Sequence, residues 1–325
     1  MVKQLFFFLS SALILSMINS SCSPRQPDTA YNLSSLAPLA ESSYAVQQED
    51  TVYFTSFYQN LYCYDGTTVT LLKEEFTGRS MTMLDGVLYY LDKNDLCRLI
   101  LSGNSLPGEP ETVYTFSTSP DKAWTDGESA FGLVGNGILS APLSGGTETF
   151  WEIEYLTSHS ALVWDGQIYL NEASDAYFNL TAVNLKTGEK QVVSELPAIA
   201  YGTADNQLCL REAVSDSDAP VPFTAGNGAS YAYDIRSAGS TNAVDLYIQG
   251  NDHTPACTIP YTHSVLSPAA CQAGDSLLIR SYFPAEADRS LAGEQPYGPA
   301  VYQYILNPDG ELTLLVKEDI VSPLS

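Results

Sequence analysis

Short apolar runs alternate with turns rich in Gly, Asp and Asn along the whole chain beyond its N-terminal stretch. Some runs are apolar almost throughout, as in TVYF after Asp50, VLYYLD after Asp85-Gly86 and QIYL after Asp165-Gly166, and others alternate, as in LYCY, LCRL and QLCL. A period of two belongs to strands, and no sustained 3.6-residue period is found beyond the N-terminal stretch. The chain therefore reads as all-β. The α/β fold of solute-binding proteins is excluded by the same pattern, since it needs helices of about ten residues or more between strands.

The turn residues recur at a regular distance. Asp50, Asp85, Asp126, Asp165, Asp205 and Asp275 are spaced by 35, 41, 39, 40 and 70 residues, and each precedes a hydrophobic strand. A second strand then ends in a turn (LYCYDG, LCRLILSG, ILSAPLSGG, LTAVNLKTG, YAYDIRSAG, VYQYILNPDG), and a third follows (TVTLL, TVYTF, ETFWEI, KQVV, AVDLYI, ELTLL). Adding the strand ahead of each Asp gives four strands per unit and six units. Four strands repeating at roughly 40 residues mark a propeller, whose blades bury their faces against one another. The expected fold is a six-bladed β-propeller, with the 70-residue interval taken as one blade carrying insertions and seven blades as the alternative. The run Leu88-Tyr89-Tyr90-Leu91-Asp92, with Val52-Tyr53-Phe54-Thr55 before it, resembles the aromatic-rich strands of YWTD-type propellers and their bacterial relatives. The resemblance implies architecture and leaves function open, because such superfolds bind proteins, bind sugars or catalyse.

The N-terminal stretch has another character. Lys3, an apolar run from Leu5 to Ile18 and the small pair Ser20, Ser21 form an export signal. The run is short of the about 20 apolar residues of a spanning helix. Small residues directly before Cys22 resemble the bacterial lipobox, with Asn19 where Leu is usual. The resemblance implies a lipid on Cys22, whose two acyl chains suffice for stable anchoring; the alternative is a thiol left by ordinary signal cleavage nearby. Residues 1–21 are read as a lipoprotein signal peptide, 22–32 as a tether and 33–325 as a single propeller, held on the extracytoplasmic side of the cell membrane.

Charge narrows the partners. Fourteen Lys and Arg stand against 38 Asp and Glu, a net charge of -24, which excludes a binder of nucleic-acid phosphates. Beyond Cys22, the residues Cys63, Cys97 and Cys209 lie in apolar runs as small buried hydrophobes. Cys257 and Cys271 are spaced so that they could bridge in a compartment that permits disulfides. His159, His253 and His263 are scattered and no CxxC occurs, so neither a metal nor a cofactor is expected.

Chemistry is harder to place. Tyr58, Trp124, Trp151, Tyr177 and Tyr297 are candidate stacking platforms, Trp124 and Tyr297 on loops. The strand-borne Tyr53, Tyr89, Tyr169 and Tyr233 are expected to wedge between blades. The repeated Asp residues are structural by their recurrence, whereas a catalytic pair would occur once. Asp216 and Asp218 lack the further ligands of a calcium loop, and no nucleophile elbow is present. No catalytic residue is assigned. Two long segments, Ala213–Gly228 and Pro284–Gly298, read as second-to-third strand connections of adjacent blades that meet at one face. They carry the candidate ligand-binding residues Asp216, Asp218, Phe223, Asp288, Arg289 and Tyr297; the blander reading is variable, solvated loops. The functional expectation is a membrane-anchored binding or scaffold propeller for a protein, peptide or glycan. The alternative is an extracytoplasmic polysaccharide hydrolase or lyase.

Overall fold

The computed structural model describes residues 44–101, 108–153, 161–173, 178–194, 198–204, 207–212, 221–224, 230–238, 241–248, 257–261, 269–274, 276–283, 300–306 and 312–319. Among them no helix is found and seven antiparallel sheets follow one another along the chain. The first comprises β1 (Ala45–Gln48), β2 (Thr51–Thr55), β3 (Leu61–Tyr64) and β4 (Val69–Lys73). The second holds β5 (Arg79–Leu84), β6 (Val87–Asp92), β7 (Asp95–Ile100) and β8 (Glu111–Thr115); the third β9 (Lys122–Thr125), β10 (Ser129–Val134), β11 (Gly137–Pro142) and β12 (Thr149–Glu152). The fourth holds β13 (Leu162–Trp164), β14 (Gln167–Ala173), β15 (Phe178–Asn184) and β16 (Lys190–Ser194). The fifth has two strands, β17 (Ala198–Ala204) and β18 (Gln207–Glu212). The sixth contains β19 (Val221–Thr224), β20 (Ser230–Ala238), β21 (Thr241–Ile248) and β22 (Cys257–Tyr261); the seventh β23 (Ala269–Ala273), β24 (Ser276–Phe283), β25 (Ala300–Leu306) and β26 (Leu312–Asp319).

The hairpins form where the sequence supplies positive φ. Asp85 and Gly86 have φ of 48° and 76°, and Asp165 and Gly166 have 49° and 67°, the left-handed pair that matches strand twist. At Asp126 the carboxylate closes the turn, its Oδ1 accepting the N–H groups of Glu128 (2.9 Å) and Ser129 (2.7 Å). These acids are structural, as their recurrence implied.

The sheets pack face to face in a ring. β1 touches both β5 and β23, β5 touches β9, and β13 touches β17, so the first strands are innermost. The outermost strands β8, β12 and β16 are largely exposed, whereas β2 and β6 are largely buried. Separate apolar clusters fill the interfaces. Tyr53, Leu61, Met81 and Leu88 join sheets one and two; Leu91, Phe116, Ala130 and Leu139 join two and three; Phe131, Ile138, Ile168 and Val183 join three and four. Tyr169, Leu180 and Ala200 continue to the fifth sheet. Phe54, Val52, Leu278 and Ile305 join the last sheet to the first and close the ring. This is a β-propeller. Burial on both faces explains why second strands such as VLYYLD are apolar without a break.

The four-strand unit is observed as read in sheets one to four and seven. The 70-residue interval from Asp205 to Asp275 is different: it contains β18, then a complete four-stranded sheet, and is not one blade with insertions. Two strands were missed, β22 and β19, and β19 carries Pro222. It lies at the edge of its sheet, in register with Ala232 of β20, and sheet edges are where proline is tolerated.

Cys63 and Cys97 are buried in the interface of the first two sheets. Cys271 is a buried thiol whose sulfur points at the Ala45 carbonyl, 3.8 Å away, so the bridge to Cys257 is not formed.

Candidate functional site

An antiparallel meander sends its first-to-second turns to one mouth of the ring. Its second-to-third connections and the links between sheets emerge at the other. Close approaches confirm that the first-to-second turns gather: a Cβ on Gly86 would lie 2.9 Å from Gln48 Nε2, one on Gly127 3.4 Å from Leu84, and one on Gly274 2.5 Å from Gln47 Oε1. At the opposite mouth the second-to-third connections are residues 56–60, 93–94, 135–136, 174–177 and 284–299 in sheets one, two, three, four and seven. The last is sixteen residues long and the others two to five.

Asp288, Arg289 and Tyr297 belong to that long connection and lie outside the described residues, as do Cys22, Tyr177, Asp216 and Asp218. Phe223 is in β19, opposite Tyr231. The segment Ala213–Gly228 is not a counterpart of Pro284–Gly298. Residues 213–220 link the fifth sheet to the sixth, and 225–229 form the first turn of the sixth. The pattern hid this because a four-residue strand containing proline carries little alternation.

On the same face, the seam between the last and first sheets is lined with polar groups. Arg280 of β24 donates from Nη2 to the Thr55 carbonyl (2.8 Å), and its guanidinium carbon lies 4.4 Å from the ring centre of Tyr44. Gln303 of β25, directly opposite Arg280 across the strands, donates to the same carbonyl (3.2 Å). Tyr44 donates its hydroxyl to the Leu278 carbonyl (3.0 Å). Nearer the outside, Glu318 of β26 accepts from the Ser56 hydroxyl and from the Tyr58 N–H (3.1 Å). Arg280 Nε is buried and makes no hydrogen bond among the described residues. Burial, and then the charge of Glu318, raise the pKa of Tyr62, which stacks on Phe54 with ring centres 5.6 Å apart. Burial pushes the Cys271 thiol up to about 11.

Sequence reasoning missed this cluster because its members are more than 200 residues apart. A signal was present. Arg280 interrupts LLIRSYF and Gln303 interrupts AVYQYIL, two largely apolar runs in which a charged or amide side chain must find a partner across an interface. The aromatic platforms fare unevenly. Trp124 is in strand β9, 3% exposed and stacked on Phe131, so it is core and not a loop platform. Tyr58 is 44% exposed, while Tyr53, Tyr89 and Tyr169 are buried between sheets as expected.

No protein-family model matches the chain, and no curated protein matches it. Solved structures do. It is similar to a nidogen–laminin complex (11% identity, 83% of this chain and 93% of that one, TM-score 0.38) and to the N-terminal domain of Nup159 (12%, 92% and 80%, TM-score 0.36). An oligogalacturonate lyase from Vibrio parahaemolyticus also matches (13%, 87% and 79%, TM-score 0.25).

Proposed function

We propose that the protein is a lipid-anchored, extracytoplasmic binding propeller that recognises a protein, peptide or glycan at the mouth bearing the second-to-third connections. The observation that carries this reading is the sixteen-residue connection 284–299 among counterparts of two to five residues. A hairpin of two residues suffices to join such strands, so the added length is not needed for folding, and long connections without a folding role are characteristically functional. Asp288, Arg289 and Tyr297 on this segment are the leading contact residues, with Asp216, Asp218 and Phe223 second.

The test replaces residues 285–298 by a two-residue Asn-Gly turn and screens native and shortened proteins against glycan arrays and peptide libraries. The native protein is expected to bind, and the shortened one to lose binding while melting within a few degrees of the native. Equal binding by both would sink the proposal, and turnover of a polysaccharide would favour the hydrolase or lyase reading in its place. The anchor is tested separately. Cys22→Ala should move the protein from the detergent phase to the aqueous phase, and unchanged partition would refute lipidation.

A further inference from the structure

The two mouths of the ring differ in charge in a way that the net charge conceals. The first-to-second turns place Glu49, Asp50, Asp85, Asp126 and Asp165 around one mouth. The innermost strands begin at the other mouth, and two of them begin with a cation: Arg79 opens β5 and Lys122 opens β9. Arg280 stands at the same level, because it pairs with Ala269, the first residue of innermost strand β23. None of the innermost strands begins with an acid at this face: its described acids lie on the links between sheets (Glu74, Glu75, Asp121), beside the second-to-third connections (Asp92, Asp95, Glu172) or on the outermost strands (Glu152, Glu318, Asp319). Asp95 accepts from the Thr115 hydroxyl, and Glu172 pairs with Lys190. Glu318 is engaged by Ser56 and Tyr58.

Neither arginine forms an ion pair among the described residues. Arg79 donates to the carbonyls of Asp121 (3.2 Å) and Pro120 (3.0 Å), and Arg280 to that of Thr55. Carbonyls accept hydrogen bonds but leave the positive charge uncancelled. A partly buried arginine ordinarily takes a carboxylate partner, and this chain has 38 acids from which to supply one. Here the two arginines are instead held in place by backbone carbonyls and, for Arg280, by an aromatic face. A guanidinium offers a planar fork of donors that matches a carboxylate, and low-dielectric walls strengthen its field at a cleft.

We infer that the mouth bearing Arg79, Lys122 and Arg280 binds a carboxylate-bearing ligand, with Arg280 as the anchoring cation. The inference rests on the proposed reading of this mouth as the binding face, and it names the chemistry that the face selects. An acidic protein thereby attracts an anion at one end only, and the ring of acids at the other end excludes it from that side.

The experiment titrates the full-length protein in detergent with citrate at constant ionic strength, using trimethyl citrate as the neutral control and inorganic phosphate as the competing oxyanion. Citrate is expected to bind and its ester not to. Arg280→Gln should weaken citrate at least tenfold, Arg280→Lys less, and the exposed Arg79→Gln severalfold without lowering the melting temperature. Asp85→Asn, at the other mouth, should leave binding unchanged. Native affinity in both Arg280→Gln and Arg79→Gln, equal binding of ester and citrate, or no citrate binding would overturn the inference. Tighter binding of phosphate would overturn the assignment to carboxylates. A protein shortened at 285–298 that keeps citrate but loses its macromolecular ligand separates this inference from the proposed function, and failure at Arg280 leaves the loop reading standing.

Discussion

If the ring is closed by packing between its first and last sheets, then Tyr44 is where closure can be tested most directly. Its side chain is 5% exposed, its hydroxyl bonds the Leu278 carbonyl at 3.0 Å, and its ring lies under the Arg280 guanidinium. Tyr44→Phe removes the hydroxyl alone and should cost about 1 kcal/mol, the net worth of one buried hydrogen bond. Tyr44→Leu removes the cation–π contact as well, a further loss of about 0.5–2 kcal/mol. Tyr44→Ala also deletes a buried aromatic body, for which about 3–5 kcal/mol is typical, so its total should reach roughly 4.5–8 kcal/mol. At about 2–4 °C per kcal/mol for domains of 150–250 residues, the three variants should melt in a clear order. The assay is urea and thermal unfolding followed by fluorescence and circular dichroism, extended to a double-mutant cycle of Tyr44→Leu with Arg280→Met. A coupling of about 0.5–2 kcal/mol is expected. A cost below 1 kcal/mol for Tyr44→Ala, or additive effects in the cycle, would refute the view that this seam holds the ring.

Other consequences are sharper in sign than in size. Gly78→Ala should destabilise by about 1–3 kcal/mol, as overpacking does, since its Cβ would fall 2.4 Å from the Phe76 ring and 2.5 Å from Tyr90; a melting curve like the native one would show that those rings can yield. Burial raises the pKa values of Cys63, Cys97 and Cys271, so iodoacetamide at pH 8 should label none of them before unfolding, and labelling in native buffer would contradict their placement. The Cys271 contribution is complete below pH 9 and is lost from there to about pH 11, because the unfolded thiol ionises first while the folded one keeps its proton. Stability should therefore fall across that window by up to about 1.4 kcal/mol per pH unit from this group, less steeply in Cys271→Ala, and an unchanged slope in that variant would discount it.

Period and turn chemistry made most of the architecture legible. Asp85-Gly86 and Asp165-Gly166 announced hairpins because their backbone angles are a local property of two residues. VLYYLD announced a strand buried on both faces for an equally local reason. What the sequence hid was relational. Pro222 lowered the strand signal of β19, although proline is harmless at a sheet edge, and one unit was read where two sheets exist. Trp124 looked like a loop residue beside Asp126-Gly127, yet it occupies the strand before that turn. The pairing of Arg280 with Thr55 leaves no trace in spacing, and only the oddity of a charge inside an apolar run pointed to it. For the candidate site, the position of the 284–298 connection was legible, but its presumed equivalence to 213–228 was not, because it depended on the count of strands between them.

The first and last sheets are each drawn from contiguous sequence, so no strand is exchanged across the seam. The described chain enters on an innermost strand at Tyr44 and leaves from an outermost one at Asp319, on the mouth where every other link between sheets runs. Joining those two ends by a segment like residues 74–78 would create one more such link, and cutting within 74–78 would create a new pair of ends. Topologically the ring has no privileged origin. A circularly permuted gene that starts at β5 would encode the same set of interfaces in a different order, and the place where the polypeptide happens to be interrupted is an accident of its gene and not a requirement of its architecture.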